Sequence, residues 1–286
     1  MRKFIVGTDW WTDCDDAVAM RLLVRAHLKG EIEILCIGIN ACMGHSVSSL
    51  SNFLHFEGVE NIPLGLDKAA TDFGGNPPYQ ERLALSLTPS ARSNNTVPDA
   101  AELYIKTLKE AEGKVEIIEV GYPQVLAEAL KREPELFKQK VSKVWVMAGK
   151  WDDDPGKENN FIRNDRSRVA GAYLCDNCPA PITFLGWEIG HSVLVGGKLD
   201  ANDQLYKTLC DTGHPKGRSA WDPMLVHIAI VGDEKKAGYS IFRGTAKVDP
   251  TSGENYFTIC DEGMHCYVVK DHCDDYYKDL LDDLIK

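Results

Sequence analysis

The sequence predicts an α/β fold in one domain spanning residues 1–286, with a mostly parallel central sheet flanked by helices. Short β-branched runs alternate with longer helical patterns along most of the chain, the rhythm of strands joined by crossover helices. A length of 286 residues with 44% hydrophobic composition is enough for a large buried core. No interdomain linker, repeat or low-complexity stretch divides the chain.

Each element has its own signal. Lys3 to Thr8 is an apolar run ahead of a helical pattern over Ala17 to Leu28, where Ala17, Met20, Val24 and Leu28 form a core-facing stripe. Ile32 to Ile39 precedes Ser46 to Gly58, Val115 to Val120 precedes Val125 to Lys131, and Val141 to Ala148 precedes Arg166 to Cys175. A further strand at Pro181 to Gly186 leads toward a helix at Trp221 to Val231. Strands resume at Tyr239 to Arg243, Tyr256 to Cys260 and Cys266 to Lys270, extending one edge of the sheet. The chain closes on a helix with Tyr277, Leu280, Leu281 and Leu284 at helical spacing. Asp67 to Asp99 and Lys150 to Asp165, rich in turn formers and charge, are expected to be surface loops beside strand ends.

Thirty-two Lys and Arg against 43 Asp and Glu leave a net charge of −11. That excess argues against binding nucleic-acid phosphate or an anionic membrane and favours small neutral or cationic ligands. No run of about 20 apolar residues occurs, and the start MRKFIVGTDWW lacks a signal-peptide pattern, so a cytoplasmic location is expected. Nine cysteines, an odd number in a chain this long, are expected to be reduced thiols.

The chemistry concentrates in IVGTDWWTDCDDAVAM, where Asp9, Asp13, Asp15 and Asp16 crowd between the first strand and the first helix. Carboxylates this close repel unless something positive neutralises them. A helix starting at Asp15 or Asp16 offers its free N–H groups and the positive end of its dipole, which accounts for one or two of them as helix caps. All four at the carboxyl end of a first strand, the edge where open α/β sheets bind ligands, point instead to a hard divalent cation such as calcium, which accepts many oxygen ligands in irregular geometry.

This segment resembles the N-terminal signature of the inosine-uridine preferring nucleoside hydrolases: an apolar strand, D-x-D, a turn, then D-D-A-x-A opening a helix. The match runs through Asp9, Asp13, Asp15, Asp16, Ala17, Ala19 and Met20, with Gly7 in the first Asp position. The resemblance implies the fold just described and calcium-dependent hydrolysis of the N-glycosidic bond of ribonucleosides, with purine or mixed base preference, in nucleoside salvage. It implies Asp9 and Asp16 as calcium ligands and Asp15 as the base that takes a proton from water. A late Asp-Pro pair, Asp222-Pro223, would supply a third carboxylate ligand, and IIEVGYPQV would place a carbonyl ligand at or beside Val120. The sugar-contacting segment corresponds to Glu158 and Asn160 in KENNF, with Trp187 and Glu188 bordering the same site. Asn40, after the second strand, is a candidate wall residue and equally a turn residue, and Asp13, which the shorter motif lacks, is a candidate substrate contact. Family members are commonly dimers or tetramers, so a homo-oligomer is expected.

Two departures stand out. Trp221 occupies the place where much of the family has a His that protonates the leaving base, and an indole cannot act as an acid near neutral pH. Aromatic stacking on the base is the substitute, with Trp10, Trp11, Trp187 and Trp221 as candidates, of which one or two are expected to face ligand. Gly7 removes a carboxylate that would support the metal loop indirectly.

Three other readings compete. Asp13-Cys14-Asp15 with Lys150, Asp152 and Asp153 imitates an aspartate-nucleophile phosphatase, although Asp13 lies five residues beyond the strand. A protein of this fold that binds a nucleoside or sugar without turnover would also tolerate Gly7 and Trp221. Cys175-x-x-Cys178, with His265-Cys266 and His272-Cys273, could suggest zinc, but the pair is placed at a helix end before Pro179 rather than in a compact ligand set. His45, His55, His191 and His214 are scattered and read as solvated or packed.

Overall fold

The structure is a computed structural model describing residues 1–11, 13–87 and 92–286. In its N-terminal part, β1 (Arg2–Thr8), α1 (Asp15–Leu28), β2 (Ile32–Ile39), α2 (Ser46–Phe56), β3 (Leu64–Leu66), α3 (Pro78–Leu85) and α4 (Ala100–Glu110) follow in order. The middle comprises β4 (Val115–Glu119), α5 (Gln124–Arg132), α6 (Pro134–Lys140), β5 (Val141–Met147), α7 (Asn159–Ile162), α8 (Asp165–Asn177), β6 (Ile182–Leu185) and α9 (Trp187–Gly190). The remainder is β7 (Leu194–Val195), α10 (Gln204–Asp211), β8 (Arg218–Ser219), α11 (Trp221–Val231), β9 (Tyr239–Val248), β10 (Asn255–Ile259), β11 (His265–Lys270) and α12 (Asp274–Leu284).

One sheet of nine strands runs through the molecule in the order β10-β9-β11-β6-β5-β4-β1-β2-β3. All pairings are parallel except those of β9, which runs antiparallel to both β10 and β11. Strand order reverses between β1 and β4, which lie side by side although 107 positions separate Thr8 from Val115. At such a switch point the connections leave in opposite directions and open a crevice at the carboxyl ends of the strands. The central strands are buried on both faces: Phe4, Val6 and Ile118 face one core with α1 and α11, and Ile5, Ile117 and Val146 face another with α4 and α5.

The expected elements are present, with differences. α3 lies inside the segment expected to be a loop, because Pro77 and Pro78 start a helix whose Tyr79, Gln80 and Leu83 are buried; residues 88–91 of that segment lie outside the described ones. Leu28 ends the core stripe of α1 but is 57% exposed. β9 continues to Val248, past the expected Arg243. Cys175 lies in the last turns of α8 and Cys178 just beyond it; among the described residues, no His or Cys belongs to a potential metal-binding group. Among the described residues, no helix is long and apolar enough to cross a membrane.

Candidate active site

The crevice at the switch point holds a cavity of about 300 Å³ lined by residues from six strand ends and loops. Asp9 follows the end of β1, the turn before α1 delivers Asp13, the first turn of α1 carries Asp15 and Asp16, Val120 follows the end of β4, and the first turn of α11 brings Asp222. Two overlapping groups of carboxylates form its floor: Asp9, Asp13 and Asp16, and Asp15, Asp16 and Asp222, the oxygens of each lying within 4.8 Å of one another.

The turn after β1 makes this convergence possible. Trp10 takes a left-handed φ of 47°, unusual for a bulky residue, at a cost of order 1–3 kcal/mol. Its indole is fully buried against Phe53 and Tyr79, and its Nε1 donates to Ser49 Oγ at 2.8 Å. Trp10 is therefore a core anchor, not a ligand-facing ring. Its backbone N–H donates to Thr8 Oγ1 at 3.1 Å, and that hydroxyl donates to Asp16. Trp11 N donates to Asp9 Oδ1 at 3.1 Å. Neither Asp15 nor Asp16 caps α1: the cap position is Cys14, without a side-chain bond, and both carboxylates lie in the first turn. Asp15 Oδ2 accepts from Asp222 N at 3.2 Å, which ties α1 to α11.

Asp9, Asp15, Asp16 and Asp222 are 8%, 2%, 1% and 4% exposed. Burial first, and the negative charge of neighbouring carboxylates including Asp13 second, push all four well above the usual carboxylate range. Half-buried Asp13 pairs with Arg218 at 3.0 Å. A dense set of hard oxygen donors, with the Arg218 guanidinium at its edge, is the chemistry a calcium-like cation fits. The carboxylates that converge closely enough to share such an ion are Asp9, Asp13 and Asp16 on one side and Asp15, Asp16 and Asp222 on the other.

The opposite wall carries the expected sugar-contacting pair. Glu158 caps α7, accepting from Asn160 N at 2.9 and 3.0 Å and from Gly149 N at 3.0 Å, and burial raises its carboxyl to about 7. Asn160 Nδ2 donates to Met147 O at 2.8 Å and reaches Val120 O at 3.4 Å. At the mouth, Trp187 and Trp221 tilt at 33° with ring centroids 6.4 Å apart, and Trp221 Nε1 donates to Trp187 O at 2.7 Å. Trp187 stacks on His191 at 4.3 Å.

Asn40 is fully buried and is not among the residues lining the cavity; it donates to Glu119 Oε1 at 2.8 Å and accepts from Tyr122 N at 3.1 Å, because the β2 end is pinned against the turn after β4. Glu188 also stays off the wall; one of its oxygens accepts from Trp151 N at 3.3 Å. The phosphatase set does not line the cavity: Lys150 pairs with Asp152 and Asp153, with its Nζ 6.0 Å from the Trp187 ring centroid. Sequence reasoning missed Tyr122, Met147, Asn159 and Arg163, all on the wall. Asn159 Nδ2 donates to the Tyr122 hydroxyl at 3.0 Å, and the Arg163 guanidinium lies 4.6 Å from the Trp11 ring centroid. Arg163 follows Asn160 by three residues, a one-turn spacing that could have flagged it. A larger groove of about 550 Å³ lies along α5 and α8, but its Arg166 and Arg132 are paired with Asp67 and Glu128, and no carboxylate group converges there.

No family model and no curated protein matches this sequence. Solved structures do. A plant nucleoside hydrolase is 18% identical, with 99% of this chain and 98% of that one covered at a TM-score of 0.76. An inosine-uridine preferring nucleoside hydrolase from Bacillus anthracis is 16% identical, covering 100% and 99% at 0.72. The type III effector protein XopQ, complexed with adenosine diphosphate ribose, is 12% identical, covering 100% and 93% at 0.71. The fold is that of the nucleoside hydrolases across the whole length of the chain, at 16–18% sequence identity.

Proposed function

We propose that residues 1–286 form one nucleoside hydrolase domain that cleaves the N-glycosidic bond of ribonucleosides with calcium, releasing ribose and free base, with purine or mixed base preference. The observation that carries this reading is the pair of overlapping carboxylate groups sharing Asp16 on the floor of a cavity at the switch point of the sheet. The named activities of the structural neighbours support the same substrate class.

Asp9, Asp16, Asp222 and the Val120 carbonyl would hold the cation. Bound calcium supplies positive charge that acidifies water and orients the sugar hydroxyls. Asp15 takes the proton from the attacking water. Glu158 and Asn160 on the far wall orient the ribose, with Asp13 as a further contact, and the carboxylates around the anomeric carbon stabilise the oxocarbenium-like transition state. Trp187 and Trp221 hold the departing base by stacking, because neither indole can donate an acid proton. Asp9, which also lines the cavity and is 8% exposed against 2% for Asp15, is the second candidate for the base. The protein is proposed to act as a cytoplasmic homo-oligomer, a dimer or tetramer, in purine and pyrimidine salvage.

The test is reducing-sugar release from a panel of ribonucleosides, with calcium and with chelator. Calcium-dependent release supports the reading. No release from any nucleoside, with unchanged nucleoside recovered from a tight complex, would make the protein a binder. Asp15→Asn and Asp9→Asn, compared at saturating calcium, assign the base to whichever change loses turnover while calcium still binds.

A further inference from the structure

We infer that Glu119 is a positioning residue that supplies, from the neighbouring strand, the buried carboxylate position 7 lacks, and that it sets the turn presenting the Val120 carbonyl beside Asp9. The inference rests on the metal reading above.

Gly7 of β1 and Glu119 of β4 are register partners. A Cβ built on Gly7 would lie 2.2 Å from Glu119 Oε2 and 2.4 Å from its Oε1 and Cδ. The Glu119 carboxyl thus occupies the space of a side chain at position 7, and only glycine fits beneath it. The two positions form one unit, with a carboxyl on one strand and a missing side chain on the other.

From that space Glu119 ties three strand ends together. Its Oε1 accepts from Asn40 Nδ2 at 2.8 Å and from Gly121 N at 3.2 Å. Asn40 passes the link on: its Oδ1 accepts from Tyr122 N at 3.1 Å, its backbone O accepts from Gln124 Nε2 at 2.7 Å, and its backbone N donates to Thr8 O at 2.9 Å. The ends of β1, β2 and β4, which carry Asp9, Asn40 and Val120, are thereby fixed to one another. The turn is also pressed tightly in place, since a Cβ on Gly121 would lie 2.4 Å from Asp9 N and 2.6 Å from Asn40 Oδ1. Glu119 is fully buried, and its Oε2 has no hydrogen-bond partner among the described residues. A carboxyl in the core costs more than an apolar residue of the same size, so its presence fits a role in placing the turn rather than in filling the core.

The experiment uses the full chain and four variants: Glu119→Ala, Glu119→Gln, Gly7→Asp, and the double change Gly7→Asp/Glu119→Ala. Calcium affinity is measured by calorimetry and melting temperature in chelator. Glu119→Ala should weaken calcium binding about tenfold or more, as loss of partners behind metal ligands does. Glu119→Gln keeps an acceptor oxygen and should stay close to wild type. Gly7→Asp alone should lower the melting temperature most, and the double variant should recover both stability and calcium affinity, a non-additive result expected of residues sharing one space. Calcium affinity unchanged in Glu119→Ala, or strictly additive melting shifts in the double variant, overturns the inference. If Glu119→Ala does not fold, Glu119→Gln and the double variant decide it. Wild-type protein that binds no calcium would remove the metal reading, and the coupling of positions 7 and 119 in chelator would still judge whether one carboxyl replaces the other.

Discussion

Glu158→Gln should make the metal-free protein more stable at neutral pH and less stable in acid. Burial, the largest influence, lifts the Glu158 carboxyl from 4.5 to about 7 against the opposing backbone hydrogen bonds of Asn160 and Gly149. At about 1.4 kcal/mol per pH unit, that difference means the ionised side chain costs the fold ~3 kcal/mol above pH ~7. The sign follows from a folded value above the unfolded one. Below pH ~4.5 the group is protonated in both states and costs nothing; stability is then lost as pH rises through ~4.5 to 7. Glutamine removes the charge and keeps one acceptor oxygen. An oxygen at the Oε2 position accepts from both Asn160 N and Gly149 N, while the new NH2 group faces Asn160 N, a mismatch of ~1 kcal/mol. The variant should therefore be ~2 kcal/mol more stable than wild type at about pH 8 and ~1 kcal/mol less stable at about pH 4.5. Urea unfolding in chelator at the two pH values measures this. The titrations of Asp9, Asp15, Asp16 and Asp222 are common to both proteins and cancel to first order in the difference. A gap that does not change with pH, or a less stable variant at pH 8, would refute the reasoning. Nucleoside affinity should fall in the same variant, so a gain in stability accompanied by loss of ligand binding marks Glu158 as kept for function.

Three further outcomes are expected. Calcium at a hundredfold excess over its dissociation constant should stabilise the wild type by ~2.7 kcal/mol, and Asp16→Asn, which removes the carboxylate common to both groups, should abolish that response in thermal melts. Trp221→Ala should lower kcat/KM for purine nucleosides about two- to tenfold, the range that ~0.5–1.5 kcal/mol for a lost aromatic contact gives, and lower it less for substrates with smaller bases. Gly121→Ala should destabilise the protein by ~1–3 kcal/mol in denaturant unfolding, because its Cβ meets the Asp9 backbone nitrogen at 2.4 Å.

The carboxylate floor was legible because its members are neighbours in sequence: Asp9, Asp13, Asp15 and Asp16 lie within eight residues at the end of an apolar strand. Asp222 and Glu158 could be placed only through a resemblance, since nothing local ties an Asp-Pro helix start or a polar loop to that floor. Asn40 shows where local reading stops. Its fate is set by Glu119, 79 positions away, and by a strand register that pattern does not encode. Of the four candidate tryptophans, Trp11, Trp187 and Trp221 reach the cavity and Trp10 does not, a division decided by one left-handed backbone residue. α3 was hidden by composition: a stretch rich in Gly, Pro and Asn reads as a loop, yet burial of Tyr79 and Leu83 against the α2 side of the core gives it a reason to be helical. The parallel sheet, by contrast, follows from the apolar runs of its central strands, which are buried on both faces.

The most direct test of the account is a crystal structure of the protein soaked with calcium and ribose. The account predicts one ion about 2.3–2.6 Å from oxygens of Asp9, Asp16 and Asp222 and from the Val120 carbonyl, with ribose hydroxyls completing its shell and Glu158 and Asn160 on the sugar. Ribose bound with no ion among these carboxylates, or calcium held elsewhere in the molecule, would contradict it.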